Sequence, residues 1–287
     1  MTFFHPTRVH RKAQARTASA PIIRLCATHW TYLLLAGLAL PSAAAWAQTK
    51  PSAEDRAAKS GGYVGLGVNA EPRYQGSDES KTKVIPGFEY RWANGLFVGG
   101  SDGFVGFQLN ATPQVQLGLA LGLDEGRKAS ESRYLKGMGD IAERGTLNLY
   151  AKAALNDQFG LSTILQLGAG SSGKGGLLEV GASYAVSLTS DTRMGFNVGA
   201  SLANADYMQQ YFGVNAAQAS ASGYKRYTPD SGLRDVSVGL DLQHQISRDW
   251  ILFTRFKSTT LSKSAKNSPL ARKATSQSAF AALAYSF

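Results

Sequence analysis

The 287-residue sequence predicts an all-β fold: a transmembrane, antiparallel, up-and-down β-barrel of twelve strands, or ten if one short pair is miscounted. Three observations carry this expectation. Apolar residues alternate with small or polar ones over about ten residues, in segment after segment, which puts one strand face in lipid and the other in a wetter interior. The connections between these segments alternate between tight and long. Residues 276–287 place Ala279, Ala281, Leu283, Tyr285 and Phe287 on one face, and the chain finishes on the aromatic itself. Leu283, Tyr285 and Phe287 thus read as a barrel-closing C-terminal signal, handled by the barrel assembly machinery of a Gram-negative outer membrane.

The first residues read as a leader. Arg8, Arg11, Lys12, Arg16 and Arg24 form a basic opening without an acid, an apolar run follows at 32–40, and Ala45-Trp46-Ala47 supplies a small-x-small site. Together they predict a secretory signal peptide over residues 1–47, cleaved after Ala47. The apolar run falls short of the roughly 20 residues a spanning helix needs. Removing five basic residues lowers the formal charge from +10 to about +5, so the basic balance gives no reason to expect a nucleic-acid partner. Cys26 and three of the four histidines leave with the leader, and His244 remains. Residues 48–60 read as a polar periplasmic lead-in, and 61–287 as the barrel.

The strands follow in order. In residues 62–70, Val64, Leu66 and Val68 oppose Tyr63, Gly65 and Gly67, and in 83–92 Val84, Phe88 and Tyr90 share a face. Residues 96–100 and 103–109 make a short pair. Leu117, Leu119, Leu121 and Leu123 then alternate with Gln116, Gly118, Ala120 and Gly122. Leu147 to Leu155, Phe159 to Leu167, Leu178 to Leu188, Met194 to Leu202 and Val236 to Leu242 repeat the pattern. Residues 250–257 are less regular, and the closing segment is the twelfth. No stretch shows sustained helical periodicity. With the first strand leaving the periplasm, the tight connections at 93–94, 111–112, 156–157, 189–191 and 247–249 fall on the periplasmic side. The long ones at 71–81, 124–144, 169–175, 203–234 and 260–275 fall outside. Only Ser101-Asp102 breaks that rule.

Each chemical motif has a plainer reading beside it. Gly168-Ala169-Gly170-Ser171-Ser172-Gly173-Lys174 has phosphate-loop spacing, but Gly175 follows the lysine and a strand follows the loop. With neither a hydroxyl for magnesium nor a helix N-terminus, it reads as an external hairpin. His244 lies beside a tight turn, has no Cys or His partner for zinc, and reads as an interfacial residue. Neither a cofactor nor a catalytic residue is expected. Glu89, Arg91, Lys152, Glu179, Asp241, Arg255 and Lys257 face the lumen by parity, either lining a water path or pairing to fill the interior. The loop at 203–234 carries Tyr207, Tyr211, Phe212, Tyr224 and Tyr227, which suit a partner-binding surface or, preferably, a lid over the barrel mouth.

Several strings have a further resemblance. Glu71-Pro72-Arg73-Tyr74-Gln75-Gly76-Ser77, Tyr134-Leu135-Lys136-Gly137-Met138-Gly139-Asp140-Ile141 and Tyr211-Phe212-Gly213-Val214 are similar to the MipA/OmpV family of outer-membrane proteins. So are Ala221-Ser222-Gly223-Tyr224 with Tyr227, Ser231-Gly232-Leu233, Asn267-Ser268-Pro269 and the terminal Tyr285-Ser286-Phe287. The resemblance spans nearly the whole mature chain. It implies a non-enzymatic barrel in contact with outer-membrane lipid. It also implies a scaffold bridging a lytic transglycosylase and a penicillin-binding protein in murein synthesis. A small-solute channel or a surface-exposed adhesin is the alternative, and a lipid-modifying enzyme using His244 is a third reading.

Overall fold

The computed structural model describes residues 60–287. The expected leader, with its small-x-small site at Ala45 and Ala47, and residues 48–59 of the expected lead-in lie outside the described residues. Twelve strands form one closed antiparallel barrel: β1 Gly61–Pro72, β2 Ser80–Arg91, β3 Leu96–Gly99, β4 Val105–Asn110, β5 Val115–Asp124 and β6 Arg144–Ala154. β7 Phe159–Ala169, β8 Gly175–Ser187, β9 Thr192–Ala203, β10 Gly232–Gln245, β11 Trp250–Leu261 and β12 Thr275–Ser286 complete it. Each strand pairs with its sequence neighbours, and β12 returns to β1 with Tyr63 opposite Ser286 and Ala70 opposite Ala279. Gly62 and Phe287 exchange both backbone bonds, at 2.9 and 3.0 Å, so the terminal residue joins the closing seam.

The burial pattern is that of a protein with its apolar face outward. Leu66, Val84 and Val238 are 58–64% exposed, whereas Glu89, Asp102 and Asp241 are buried. Apolar exposure around the whole wall is the lipid-facing band of a transmembrane barrel. At the tight-turn end an aromatic girdle bounds it. Tyr90 packs edge-on against Trp92 at 4.9 Å and stacks on Phe287, Trp250 meets Tyr285, and Phe159 meets Tyr184.

Two features depart from the alternation. Residues 203–234 form no plain loop: they contain α1 (Ala205–Phe212) and α2 (Ala216–Ser222), and α3 (Lys263–Lys266) follows β11. The first two start from local caps. The Asn204 side chain accepts from Tyr207 N, and Asn215 with Gln218 forms a reciprocal capping box. Helices of eight and seven residues are too short for periodicity to show in sequence, so capping is their signal.

The second departure is the β3–β4 hairpin. β3 pairs with β2 only over Glu89–Arg91, and Gly100 N reaches Phe88 O one step further. Beyond that point β2 runs on to Ser80 without a strand on this side, and Pro86 lies in the unpaired stretch. The turn bends inward, which explains the one short connection among the long ones. Asp102 is buried in the lumen, and its carbonyl accepts from Asn148 Nδ2 at 3.0 Å. Irregular backbone at membrane depth is tolerated where it faces protein or a cavity.

The seam yields a test. A Cβ on Gly65 of β1 would lie 2.6 Å from the Leu283 carbonyl oxygen of β12, and the backbone there has nowhere to move. Gly65→Val is expected to cost at least about 1–3 kcal/mol by overpacking. Heat-modifiable gel migration reads this as loss of most of the fast-running folded band, and an unchanged band ratio would refute it.

Candidate functional site

The long loops converge on one end of the barrel and close it. On α1, Tyr207, Met208, Tyr211 and Phe212 are buried on a single face because they recur at helical spacing. They pack on Ile141, Ala169, Leu177, Leu261 and Ala265. A second cluster joins Met138, Val214 and Leu270, flanked by Tyr224 and Tyr227. All five aromatics singled out in the sequence are therefore used inside this cap. Tyr224 donates to the Tyr134 carbonyl at 3.1 Å and Tyr227 to that of Ser264 at 2.6 Å. Other loops are cross-tied in the same way: Tyr74 donates to Leu270 O, Ser268 to Phe212 O, and Gln218 to Met138 O.

Polar latches fasten the cap to the barrel rim. Tyr211 donates its hydroxyl proton to Asp124, the last residue of β5. Tyr207, stacked on Tyr211 at 4.5 Å, accepts from Arg234 Nη1 at 2.8 Å and Gln75 Nε2 at 3.0 Å. Arg234 is ion-paired to Asp235 and lies 3.8 Å from Glu179. Burial, and then the hydrogen bond to Asp124, push the Tyr211 hydroxyl well above its ordinary pKa of 10. Burial pushes Tyr74 up to about 12. Arg127 is buried and donates to the Tyr211 carbonyl at 2.9 Å, and desolvation lowers its pKa.

Below the cap, the lumen carries two charged walls. On one, Arg91 pairs with Glu89 and reaches Asp102 at 3.3 Å, and Lys152 Nζ binds both Asp102 oxygens at 2.7 and 2.8 Å. On the other, Arg255 grips Asp241 at 2.7 and 2.8 Å, and Asn197 donates to the same carboxylate at 3.0 Å. The structure thus brings six of the seven parity-assigned charges into pairs, with Glu179 joined to Arg234 at the rim. Lys257 stands apart. Sequence reading missed Asp102, Asp124, Arg234 and Asp235. The one short connection on the long-loop side was the available signal for Asp102. Asp124 and Asp235 continue the inward parity of β5 and β10 by one step beyond the alternation read from the sequence, and Arg234, which follows no such parity, gave no signal.

Between the walls lies a cavity of about 490 Å³ that reaches the tight-turn end past Pro113 and Asn156 to Gln158. Small and polar side chains make much of its wall because the inward positions there include Gly160, Ser162, Gly181, Ser183, Gly199 and Ser237, beside the apolar Ile164. Glycine faces serine across the ladder at Gly160–Ser183, Ser162–Gly181 and Gly199–Ser237. Each glycine leaves room its neighbour occupies: a Cβ on Gly181 would lie 2.9 Å from Ser162 Oγ. His244 faces the opposite side of β10, with Nδ1 2.9 Å from Thr192 Oγ1. Among the described residues no carboxylate hydrogen-bonds it, so the pair lacks the third group that orients a catalytic base. No group of three or more metal-ligating side chains occurs among the described residues. The glycine-rich loop at 170–174 joins β7 to β8 as a hairpin, with Gly170 and Gly173 at positive φ.

Comparison with known proteins bears on the family. No curated protein matches the chain. Among solved structures, the KdgM porin is similar at 10% identity and a TM-score of 0.44, over 78% of this chain and 99% of that one. The NanC porin gives 12%, 0.43, 77% and 98%, and an outer membrane channel from Pseudomonas putida F1 gives 11%, 0.42, 80% and 96%. The family described as MltA-interacting protein MipA matches residues 64–287, from the first strand to the terminal phenylalanine. This outer-membrane barrel belongs to the MipA family.

Proposed function

We propose that this protein is a non-enzymatic, non-conducting scaffold, exported by a signal peptide cleaved after Ala47. Its periplasmic end docks murein enzymes, a lytic transglycosylase first and a penicillin-binding protein beside it. The observation that carries the reading is the asymmetry of the barrel. One end is sealed by an interlocked cap around Met208 and Phe212, neither of which has any exposed surface. The other end opens into a lumen cavity. Short turns at the open end support a periplasmic placement of it, where a murein partner has to be met. The family description, MltA-interacting protein, supports the partner class. The cavity mouth supplies a recognition feature on a face that, among the described residues, otherwise has only tight turns. The polar cavity wall favours a second reading, a gated channel for small solutes, which requires the cap to open.

Two measurements separate these. A detergent-solubilised envelope extract passed over the folded barrel is expected to yield a retained lytic transglycosylase, lost on deleting residues 48–59. Retention of neither murein enzyme would sink the scaffold. In planar bilayers at neutral pH the barrel is expected to stay silent. Discrete openings there would make it a channel.

The cap should be sensitive to alkali, and the sign is fixed. Tyr211 and Tyr74 have pKa values raised in the closed cap, so the stability they lend is complete below their unfolded value of about 10. It is lost as pH rises from there through the folded values. Protease cleavage within 204–231 is expected to accelerate between about pH 10 and 12. Tyr211→Phe should weaken cap closure by about 1.5–3 kcal/mol by removing a hydrogen bond to a carboxylate, and unchanged cleavage in the variant would refute the latch.

A further inference from the structure

The lumen cavity contains a cation that the barrel does not neutralise. Of the charged side chains lining it, Lys152 is held by Asp102 and Arg255 by Asp241. At the mouth Arg193 donates to the Asp157 carbonyl at 2.9 Å, and the Asp157 carboxylate, which also lines the cavity, makes no ion pair with Lys257. Lys257 also lines the cavity, and among the described residues it makes neither an ion pair nor a hydrogen bond. Its place in the sheet explains this. Its ladder neighbours are Gly239 on β10 and Ser278 on β12, which bring no carboxylate to the ammonium. Hydroxyls and amides stand beside it at Gln116, Ser162, Ser183, Asn197 and Ser237, and apolar side chains such as Leu161 and Ile164 complete the lining.

An exposed cation in a polar, concave site recognises an anion through a charge-assisted hydrogen bond, while the amides and hydroxyls fix the orientation of neighbouring polar groups. A volume of about 490 Å³ is at the size of small-molecule sites and accepts a solute of about two sugar rings. We propose that this cavity binds a carboxylate-bearing saccharide rich in hydroxyl or acetamido groups, with Lys257 as the counter-charge. The proposal rests on the scaffold reading for the periplasmic orientation of the cavity mouth, and it names a ligand that such a scaffold would sample. Two sources offer this chemistry: stem-free fragments of the cell-wall glycan, whose lactyl carboxylates are not amidated, and free uronic acid saccharides.

The test is calorimetric titration of the folded barrel, purified in detergent from outer membranes, with three disaccharides. These are N-acetylglucosaminyl-N-acetylmuramic acid, digalacturonic acid and neutral diacetylchitobiose. At least one acidic disaccharide is expected to bind about tenfold or more tighter than the neutral one, and whichever acid is preferred identifies the source. Lys257→Gln should remove that preference, Lys257→Arg should keep it, and Ser183→Phe, which fills the cavity, should weaken every probe. Heat-modifiable migration checks that each variant is folded. Equal binding of acidic and neutral probes, no binding of any probe, or an undiminished preference in folded Lys257→Gln would overturn the proposal. Retention of a lytic transglycosylase without saccharide binding defeats this proposal and leaves the scaffold standing. Saccharide binding without a retained enzyme does the reverse.

Discussion

In hydrocarbon a peptide group has no water to bond with, and that constraint governs this fold. A sheet meets it by closing, so that every strand has two neighbours and no edge is left. The closure between β1 and β12 runs over eight paired residues from Tyr63–Ser286 to Ala70–Ala279. Gly65 and Ala284 are opposite one another there, which lets the two backbones meet without a side chain between them. Once the sheet closes, parity follows: Val64, Leu66 and Val68 face lipid, and Tyr63, Gly65 and Gly67 face inward.

The interior then has to be occupied, and this chain uses two different means. Near the cap, apolar residues and tyrosines pack as in a water-soluble core, with Tyr207, Met208, Tyr211 and Phe212 brought in by one short helix. Lower down the filling is ionic. Asp102 gathers Arg91 and Lys152, and Asp241 gathers Arg255. Charges of this kind are costly to bury alone and hold their geometry when paired. Where the sequence alternates glycine with serine instead, the interior is left hollow. Packing, pairing and vacancy are thus written by side-chain choice on a single register.

Strand positions, closure and the grouping of tight and long connections at opposite ends of the barrel were legible because period two and turn length are local properties. The pattern at Leu117, Leu119, Leu121 and Leu123 needs no tertiary knowledge to read. Lumen-facing charges were legible for the same reason, but their partners were not. Asp102 lies 50 residues from Lys152 in sequence, and only the inward turn of β3–β4 joins them. The cap shows the same limit. Tyr207 and Tyr211 stood out as aromatics in a long loop, yet their dependence on Asp124 and Arg234 arises from contacts across the barrel mouth. Asn204 and the Asn215–Gln218 capping box could have announced the short helices, but their apolar periods were too brief to be seen.

The inward turn also makes the wall unequal around its circumference. β3 has four residues, about 13 Å of extended chain, where about nine to eleven are needed to span the membrane. Above its tip, β2 continues with Pro86, whose missing N–H removes one donor that would face lipid. Higher still, Lys83 reaches Glu125 at 3.0 Å and Lys81 reaches Glu131 at 3.3 Å, so salt links take the place of a ladder across the gap. At this azimuth the half of the barrel that carries the long loops is therefore lower-walled, while elsewhere the apolar wall is continuous. A bilayer accommodates such a step by thinning and by admitting water. The barrel consequently has a front and a back within the plane of the membrane, and neighbouring molecules encounter it as an oriented body, not as a cylinder.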